Sequence, residues 1–258
     1  MIQTMKKILV TFFCIFAIPI YASVARSIDS TYEINYTHLL GVILYFVLTV
    51  YSIYYLKRKK CKYSSRDIII AVLLGSVTIA YTIPLRFVGF AAGICTTCIF
   101  LVVRNMLLDD DFVWFKKDVR SNILLFGGIT LTYLLIFLTK DNVTFQFHPL
   151  IVLKALAPGI SEELIFRVFL MVFLFKKLDL DDTFGNKAWV FLIITIPFGF
   201  LHCIDLFMMN DVGGAMMRCY TTVVNSLFDV FLIYKFGFIY GVYAHALSDF
   251  LVMSMLLN

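Results

Sequence analysis

Long apolar runs alternate with short polar segments along almost the whole chain. The runs lie near 8–25, 36–56, 67–84, 87–107, 121–139, 149–175, 188–209, 213–234 and 236–257. Each run is near or above the roughly 17–25 residues that a membrane-spanning helix needs. The pattern therefore predicts an all-α fold, a polytopic transmembrane helical bundle of about eight to nine spans.

The polar segments between the runs indicate how the chain is threaded. Lys and Arg are concentrated before the first run and in every second segment, at 57–66, 108–120 and 176–187. The alternate segments, near 26–35, 84–86, 140–148 and 209–213, are poor in both. Cytoplasmic loops carry the excess of basic residues. The N-terminus is therefore predicted to lie inside, and the last run to end outside.

The first run fits two descriptions. Lys6 and Lys7 precede it, and the small residues of Ala22–Ala25 follow it, as in a secretory signal peptide. We expect a retained helix, with cleavage after Ala25 as the alternative, which would leave eight spans. The expected divisions are 1–25, 26–146 with the other N-terminal helices, and 147–258 with the functional core.

Composition strengthens the membrane prediction. Of the 258 residues, 61% are hydrophobic and 15% charged, whereas a soluble domain is about half apolar and a quarter charged. The net charge of +5 resides in short clusters between the runs, so we expect a lipid bilayer as partner and no nucleic acid. The abundance of Lys, Phe and Ile favours a bacterial plasma membrane.

Ionisable side chains inside the runs are the candidates for chemistry, because each costs about 2.5–3.5 kcal/mol at the bilayer centre. Glu163 and Arg167 have i,i+4 spacing, so a neutralising ion pair explains them. Glu162 points about 100° away on a helix and lacks such a partner, which makes it the candidate general base. Pro158 and Gly159 are expected to break or start a helix, with Ser161 as its N-cap.

Two later runs contain histidines. His202 follows Phe198 by one helical turn, and we expect it to lie at a depth similar to that of Glu162. His245 and Asp249 share one face of the last run. One interpretation is a pair in which Asp249 fixes the imidazole tautomer. The other is a donor pair that faces the same cavity as Glu162 and His202.

Other polar residues are given no role in this hypothesis. His38 and His148 lie near span ends, and Cys203 diverges from His202 by about 100° on a helix. Asp205 and Asp229 have no evident partner and are assigned to a water path or to span ends. The C-x-x-C pair, Cys95 and Cys98, lies in an apolar run, which favours packing over redox or metal chemistry.

Taken in order, Glu162-Glu163-x-x-x-Arg167, Phe198-x-x-x-His202 and His245-x-x-x-Asp249 resemble the CPBP family. This family includes the CAAX prenyl endopeptidases and the bacteriocin-processing or Abi-type membrane proteins. The resemblance covers roughly residues 147–255. It implies an intramembrane endopeptidase, with its site in a water-filled cavity among the C-terminal helices, acting on a peptide or lipidated-peptide substrate.

The resemblance also implies a role for each residue. Glu162 would activate the attacking water with help from His202, His245 and residue 249 would stabilise the oxyanion, and Glu163 with Arg167 would order the site. The family often has Asn where this chain has Asp249. Because an ionised Asp cannot donate a hydrogen bond, Asp249 must be protonated or must orient His245.

Two questions stay open on the sequence. We favour a metal-free mechanism without a cofactor, with zinc on Glu162, His202 and His245 as the alternative. The runner-up functions are a non-catalytic membrane partner, such as a bacteriocin-immunity or scaffold protein, and a proton-coupled transporter.

Overall fold

The computed structural model covers most of the predicted spans. It describes residues 4–11, 36–59, 61, 63–81, 86–107, 114, 118–139, 143–208 and 210–257, in places by backbone alone. Residues 4–11 are helical. The predicted cleavage position after Ala25 and the end of the first run lie outside the described residues, so the choice between signal peptide and retained helix stays a prediction.

Four helices make up the first half of the described chain. They are α1 (Tyr36–Lys59), α2 (Ser65–Tyr81), α3 (Arg86–Met106) and α4 (Val119–Leu138). These confirm as helices the apolar runs near 36–56, 67–84, 87–107 and 121–139. Helix α3 packs on both α1 and α2, and an ion pair of 3.1 Å between Arg104 Nε and Asp67 Oδ1 joins α3 to α2. In turn α2 packs on the site helix described next, and α4 packs on the last helix.

One continuous helix carries the Glu-Glu motif. It consists of α5 (Pro149–Glu162), a π-helical segment (Glu163–Phe169) and α6 (Leu170–Leu178), and we call it the site helix. The expected break at Pro158 and Gly159 was wrong, because both residues lie inside α5. The Ser161 hydroxyl donates back to Ala157 O at 3.0 Å, so Ser161 is not an N-cap. The helix is widened at Glu163 instead of being interrupted.

Four further helices complete the described chain. They are α7 (Phe184–Leu201), the short α8 (Ile204–Met208), α9 (Val212–Lys235) and α10 (Phe238–Met253). The Thr183 hydroxyl caps α7, and the Asp211 carboxylate caps α9. The predicted run 188–209 is therefore split at His202 and Cys203. This break leaves His202 at the C-terminal end of α7, where its backbone N–H bonds the last carbonyls of the helix.

Apart from turns, the described residues form helices and one small ribbon that the sequence did not predict. Strand β1 (Val143–Phe145) pairs antiparallel with β2 (Met255–Leu257), with Val143 opposite Leu257. The last predicted run, 236–257, therefore ends as a strand. The ribbon ties the segment before the site helix to the segment after α10.

The bundle exposes many large apolar side chains and encloses several charged ones. In the described residues, four helices are long and apolar enough to cross a membrane (α3, α4, α7 and α9), and α10 is a shorter apolar helix. Large apolar side chains such as Leu138 (76% exposed) face outward. The largest fully buried side chain is that of Arg167. This inversion is expected of a multi-pass membrane protein, in which charge is enclosed by the bundle.

Candidate active site

The carboxylate of Glu162 lies between two histidines from other helices. Its Oε2 atom is 3.8 Å from Nε2 of His202 and 3.8 Å from Nε2 of His245. Oε2 is buried and has no hydrogen-bond partner among the described protein atoms. The end of α5, the end of α7 and the middle of α10 therefore converge on one atom.

His202 is held by the main chain of its own helix. Its Nδ1 is 2.9 Å from Phe198 O. A carbonyl oxygen only accepts hydrogen bonds, so Nδ1 carries the hydrogen. In the neutral ring the Nε2 atom that faces Glu162 is then an acceptor. The ring also contacts the Phe198 ring, with 4.2 Å between centroids.

His245 is held by carboxylates instead. Its Nδ1 is 2.6 Å from Glu163 Oε1, a short contact between α10 and the site helix. Its Nε2 is 3.5 Å from Asp249 Oδ2, one turn along α10. The predicted i,i+4 pair is present, but the closer partner of the imidazole is Glu163.

Glu163 and Arg167 form the ion pair that their spacing predicts. Arg167 Nη1 is 3.4 Å from Glu163 Oε1, and both residues are almost fully buried. The guanidinium carbon lies 3.6 Å from the centroid of the Phe198 ring. A desolvated cation–π contact of this kind contributes about 2 kcal/mol. Glu163 therefore has two partners, because it also accepts from His245.

Asp229 is the residue that sequence reasoning missed. It is 3% exposed, and one oxygen each of Glu163 and Asp229 and a ring nitrogen of His245 all lie within 4.8 Å of one another. The earlier assignment to a water path or a span end gave it no partner. The signal was available in the sequence: Ser226 lies three residues before it, and the two form a buried polar face on α9.

Two glycines allow these helices to approach closely. A Cβ atom on Gly159 would lie 3.1 Å from Val242 O and 3.3 Å from the Cβ of Ala246, the neighbour of His245. A Cβ atom on Gly241 would collide with Ile233 and lie 3.3 Å from Asp229 O. Gly241 thus allows α9 and α10 to pack closely. Gly237 acts differently, since its φ of 133° forms the turn between α9 and α10.

The side chains do not fit a divalent metal well. Among the described residues, the group with ligand atoms within 4.8 Å of one another is Glu163, Asp229 and His245, which does not include His202. A dication on Glu163 would lie next to the Arg167 guanidinium, which is 3.4 Å from the same oxygen. The Nδ1 hydrogen of His245 also points at Glu163, and a metal would have to displace it.

The site is open on one side. The side chains of His202, Asp249 and Glu162 are 35%, 31% and 21% exposed, whereas Glu163 is fully enclosed. A separate cavity of about 410 Å³ lies between α4, α9 and α10, lined by Tyr133, Asn225, Ser248 and others. None of the six predicted site residues is in that lining. Glu162 is therefore accessible from the side of His202 and Asp249.

The residues that were set aside do not join the site. His148 Nδ1 accepts from Leu150 N and caps α5. Cys95 is buried in an apolar core cluster, as packing predicts. The side chains of His38 and Asp205 lie outside the described residues. All six predicted site residues, by contrast, are joined in one network of contacts.

Comparison with protein families gives a match to the C-terminal part of the chain. Residues 144–251 match the family model described as type II CAAX prenyl endopeptidase Rce1-like. No curated protein and no solved structure matches the chain. The matched segment begins in β1, ends within α10 and includes all six residues and Asp229. The predicted resemblance to the CAAX-protease family is confirmed over this segment.

Proposed function

We propose, with the Rce1-like match of residues 144–251 as the premise, that this chain is an intramembrane endopeptidase. It would hydrolyse a peptide bond in a membrane-associated peptide or protein. The observation that carries the proposal is the position of Glu162 Oε2, 3.8 Å from Nε2 of both His202 and His245. A water molecule bound between Glu162 and His202 would then lie beside His245, which would contact the substrate carbonyl.

The geometry supports a sequence of proton transfers. Glu162 takes one proton from the water, and the water oxygen adds to the carbonyl carbon. Nε2 of His202 accepts a hydrogen bond from the other O–H of the water. The oxyanion that forms is stabilised next to His245. Glu162 then returns the proton to the leaving nitrogen, and the C–N bond breaks. The other hydrogen of the water stays on the hydroxyl of the new carboxyl group, so the step balances without a metal.

The remaining site residues support this arrangement. The contact of 3.5 Å between Asp249 and His245 Nε2 favours an orienting role for Asp249 over donation to the oxyanion. Glu163 fixes His245 through Nδ1, and Arg167 balances the charge of Glu163. We assign the surroundings as a bacterial plasma membrane crossed eight or nine times, supported by the helices described and by the basic residues in every second loop, which place those loops on one side.

Glu162→Gln tests the proposal, because it keeps the shape and removes the base. The purified protein in proteoliposomes is given a library of single-span membrane peptides, and cleavage is read by mass spectrometry. We expect the variant to lose at least about 10²–10⁴-fold in rate. Asp182→Asn, in the exposed loop before α7, is the matched control and should cleave like the wild type. Cleavage by Glu162→Gln at the wild-type rate would refute the mechanism.

Two further results separate the alternatives. A chelator should leave the rate unchanged; a loss of activity that zinc restores would establish metal dependence. If the wild type cleaves no peptide, and Glu162→Gln protects cells against a bacteriocin as well as the wild type does, the chain is a non-catalytic immunity or scaffold protein.

A further inference from the structure

The cavity between α4, α9 and α10 has no part in the mechanism above. Its volume of about 410 Å³ lies within the range of roughly 300–1,000 Å³ that is usual for ligand sites. Helix α10 packs on both α4 and α9 and contributes Ser248 and Leu251 to the wall between them. Apolar and aromatic side chains at the rim face outward: Ile136 (53% exposed), Tyr220 (67%) and Val252 (61%). We call this cavity the α4–α9 cleft, and it is open towards the surrounding lipid.

The inner wall of the cleft adjoins the active site. Ser248 immediately precedes Asp249 on α10, and Asn225 precedes Asp229 by one turn of α9. The phenol of Tyr133, from α4, hydrogen-bonds the side chain of Ser248. The same two helices, α9 and α10, therefore present one set of residues to the active site and the neighbouring set to the cleft.

Asn225 is exposed on the wall of the cleft, and its amide makes no hydrogen bond to the described part of the chain. The hydroxyl of Thr221, in the same wall, differs in this respect, because it donates to Met217 O at 3.1 Å. Asn225 lies near the middle of α9, a helix long and apolar enough to cross a membrane. An amide at this depth is costly unless a ligand supplies hydrogen-bonding groups.

The chemistry of this amide fits a peptide better than a lipid chain. An amide offers both donors and an acceptor, and so does each peptide unit. An acyl chain offers neither. A peptide bond in a membrane segment is open to attack only after its helix has unwound, and the N–H and C=O groups released in this way need partners within the bilayer.

We propose that the α4–α9 cleft binds the segment of the substrate next to the scissile bond, with Asn225 paired to its main chain and the apolar walls around its side chains. From the cleft, the substrate crosses α10 at Ser248 and Asp249, which are both partly exposed, and reaches Glu162. The cleft therefore selects an apolar membrane segment that has unwound. This inference rests on the proposed function, but binding in the cleft can be measured without cleavage.

Photocross-linking in proteoliposomes identifies the occupant. Val224→p-benzoylphenylalanine places the probe in the cleft, where Val224 is 45% exposed. Met216→p-benzoylphenylalanine is the control, since Met216 is 59% exposed on the same helix but lies outside the lining. Both are made in the Glu162→Gln protein, and the library of single-span membrane peptides is added. We expect peptide adducts at position 224 and few at position 216.

The other outcomes of this experiment overturn the proposal. No peptide adduct at position 224 would do so, and so would equal peptide adducts at both positions. An adduct at position 224 with phospholipid alone would identify an acyl chain as the occupant. An adduct with a second copy of the chain alone would identify the cleft as a dimer interface.

Two pairs of variants test the wall and the amide by cleavage kinetics. Val224→Trp fills the cleft and should raise KM about tenfold or more with little change in kcat. Met216→Trp adds the same bulk outside the cleft and should cleave like the wild type. Asn225→Leu should raise KM about fivefold, the effect of one hydrogen bond. Asn225→Gln keeps the amide and should recover most of this loss.

The inference and the proposed function fail in different ways. If the wild type cleaves the peptides and Val224→Trp has the same KM, the substrate does not lie in the cleft, while the endopeptidase activity stands. If peptides cross-link at position 224 but the wild type cleaves none of them, the proposed function fails, while the cleft stands as a peptide-binding site.

Discussion

The two sides of Glu162 carry the same type of residue in different surroundings. His202 is about one third exposed, and its Nδ1 bonds a main-chain carbonyl. His245 is 12% exposed, and its Nδ1 bonds a buried carboxylate. Both present Nε2 to Glu162 Oε2 at 3.8 Å. The distance from Glu162 therefore does not distinguish the two histidines. They differ in the group that Nδ1 contacts.

This difference favours opposite hydrogen-bond roles. The carbonyl partner of His202 places a hydrogen on Nδ1, so in the neutral ring Nε2 accepts a hydrogen bond from water. His245 has carboxylates beside both ring nitrogens, a surrounding that suits a ring nitrogen carrying a hydrogen, which can donate to an oxyanion. The acceptor, His202, suits the O–H of an attacking water. The donor, His245, suits the oxygen of the carbonyl that the water attacks.

The largest expected effect is that of His245→Gln. It removes the oxyanion donor, so kcat should fall by about 10²–10³-fold. It also leaves Glu163 and Asp229 buried without this partner, which should destabilise the protein by about 3–5 kcal/mol. Cleavage assays and thermal unfolding in detergent measure the two effects. His148→Gln, outside the site, is the control and should lose only a helix cap; full stability in His245→Gln would contradict the charge argument.

His202→Gln should reduce activity with little effect on stability. The water loses an oriented acceptor, so we expect kcat to fall by about 10²-fold. The Nδ1 hydrogen bond is a neutral one at a partly exposed position and contributes only about 1 kcal/mol. The same two assays apply. If His202→Gln destabilises the protein as much as His245→Gln, the two sides of Glu162 are not different in the way described.

Arg167→Lys tests the connection between the two sides. Lysine keeps the charge but loses the planar group that stacks on Phe198, the residue that also holds His202. We expect a loss of about 2 kcal/mol in stability and a moderate fall in activity. The control is Arg104→Lys, whose partly exposed pair with Asp67 should contribute less than about 1 kcal/mol. Equal losses in the two variants would show that the stacking is unimportant.

The smallest effect is expected for Asp249→Asn. Asp249 is 31% exposed and lies 3.5 Å from His245, so solvent screens much of its charge. Cleavage should stay within about threefold of the wild type, in line with an orienting contact. A larger loss of cleavage would mean that Asp249 does more than orient His245.

Most of the helical fold could be predicted, because a bilayer imposes long apolar runs on any spanning helix. Local irregularities could not. Pro158 lacks a backbone N–H, yet the neighbouring helices accommodate it within α5, and the irregularity appears five residues later as the π-helical segment. The β1–β2 ribbon pairs residues more than 100 positions apart, which no local pattern contains.

Sequence spacing predicted the contacts of the site that lie within one helix, but not those between helices. The i,i+4 pairs of Glu163 with Arg167 and of His245 with Asp249 follow from helical geometry. The contact between Glu163 and His245 depends on how α10 packs, and that packing rests on Gly159 and Gly241. Asp229 was overlooked for the same reason, since its neighbours in space belong to other helices.

The β1–β2 ribbon can form only late in the synthesis of the chain. Phe145 of β1 can pair with Met255 of β2 only after the chain has grown by 110 residues. At about 5–20 residues per second the ribosome needs on the order of ten seconds to deliver the partner strand. Until then α10 is not tied in place, and Glu162, Glu163 and Asp229 lack their imidazole. The polar site of the newly made helices is therefore incomplete until α10 has been synthesised, late in translation.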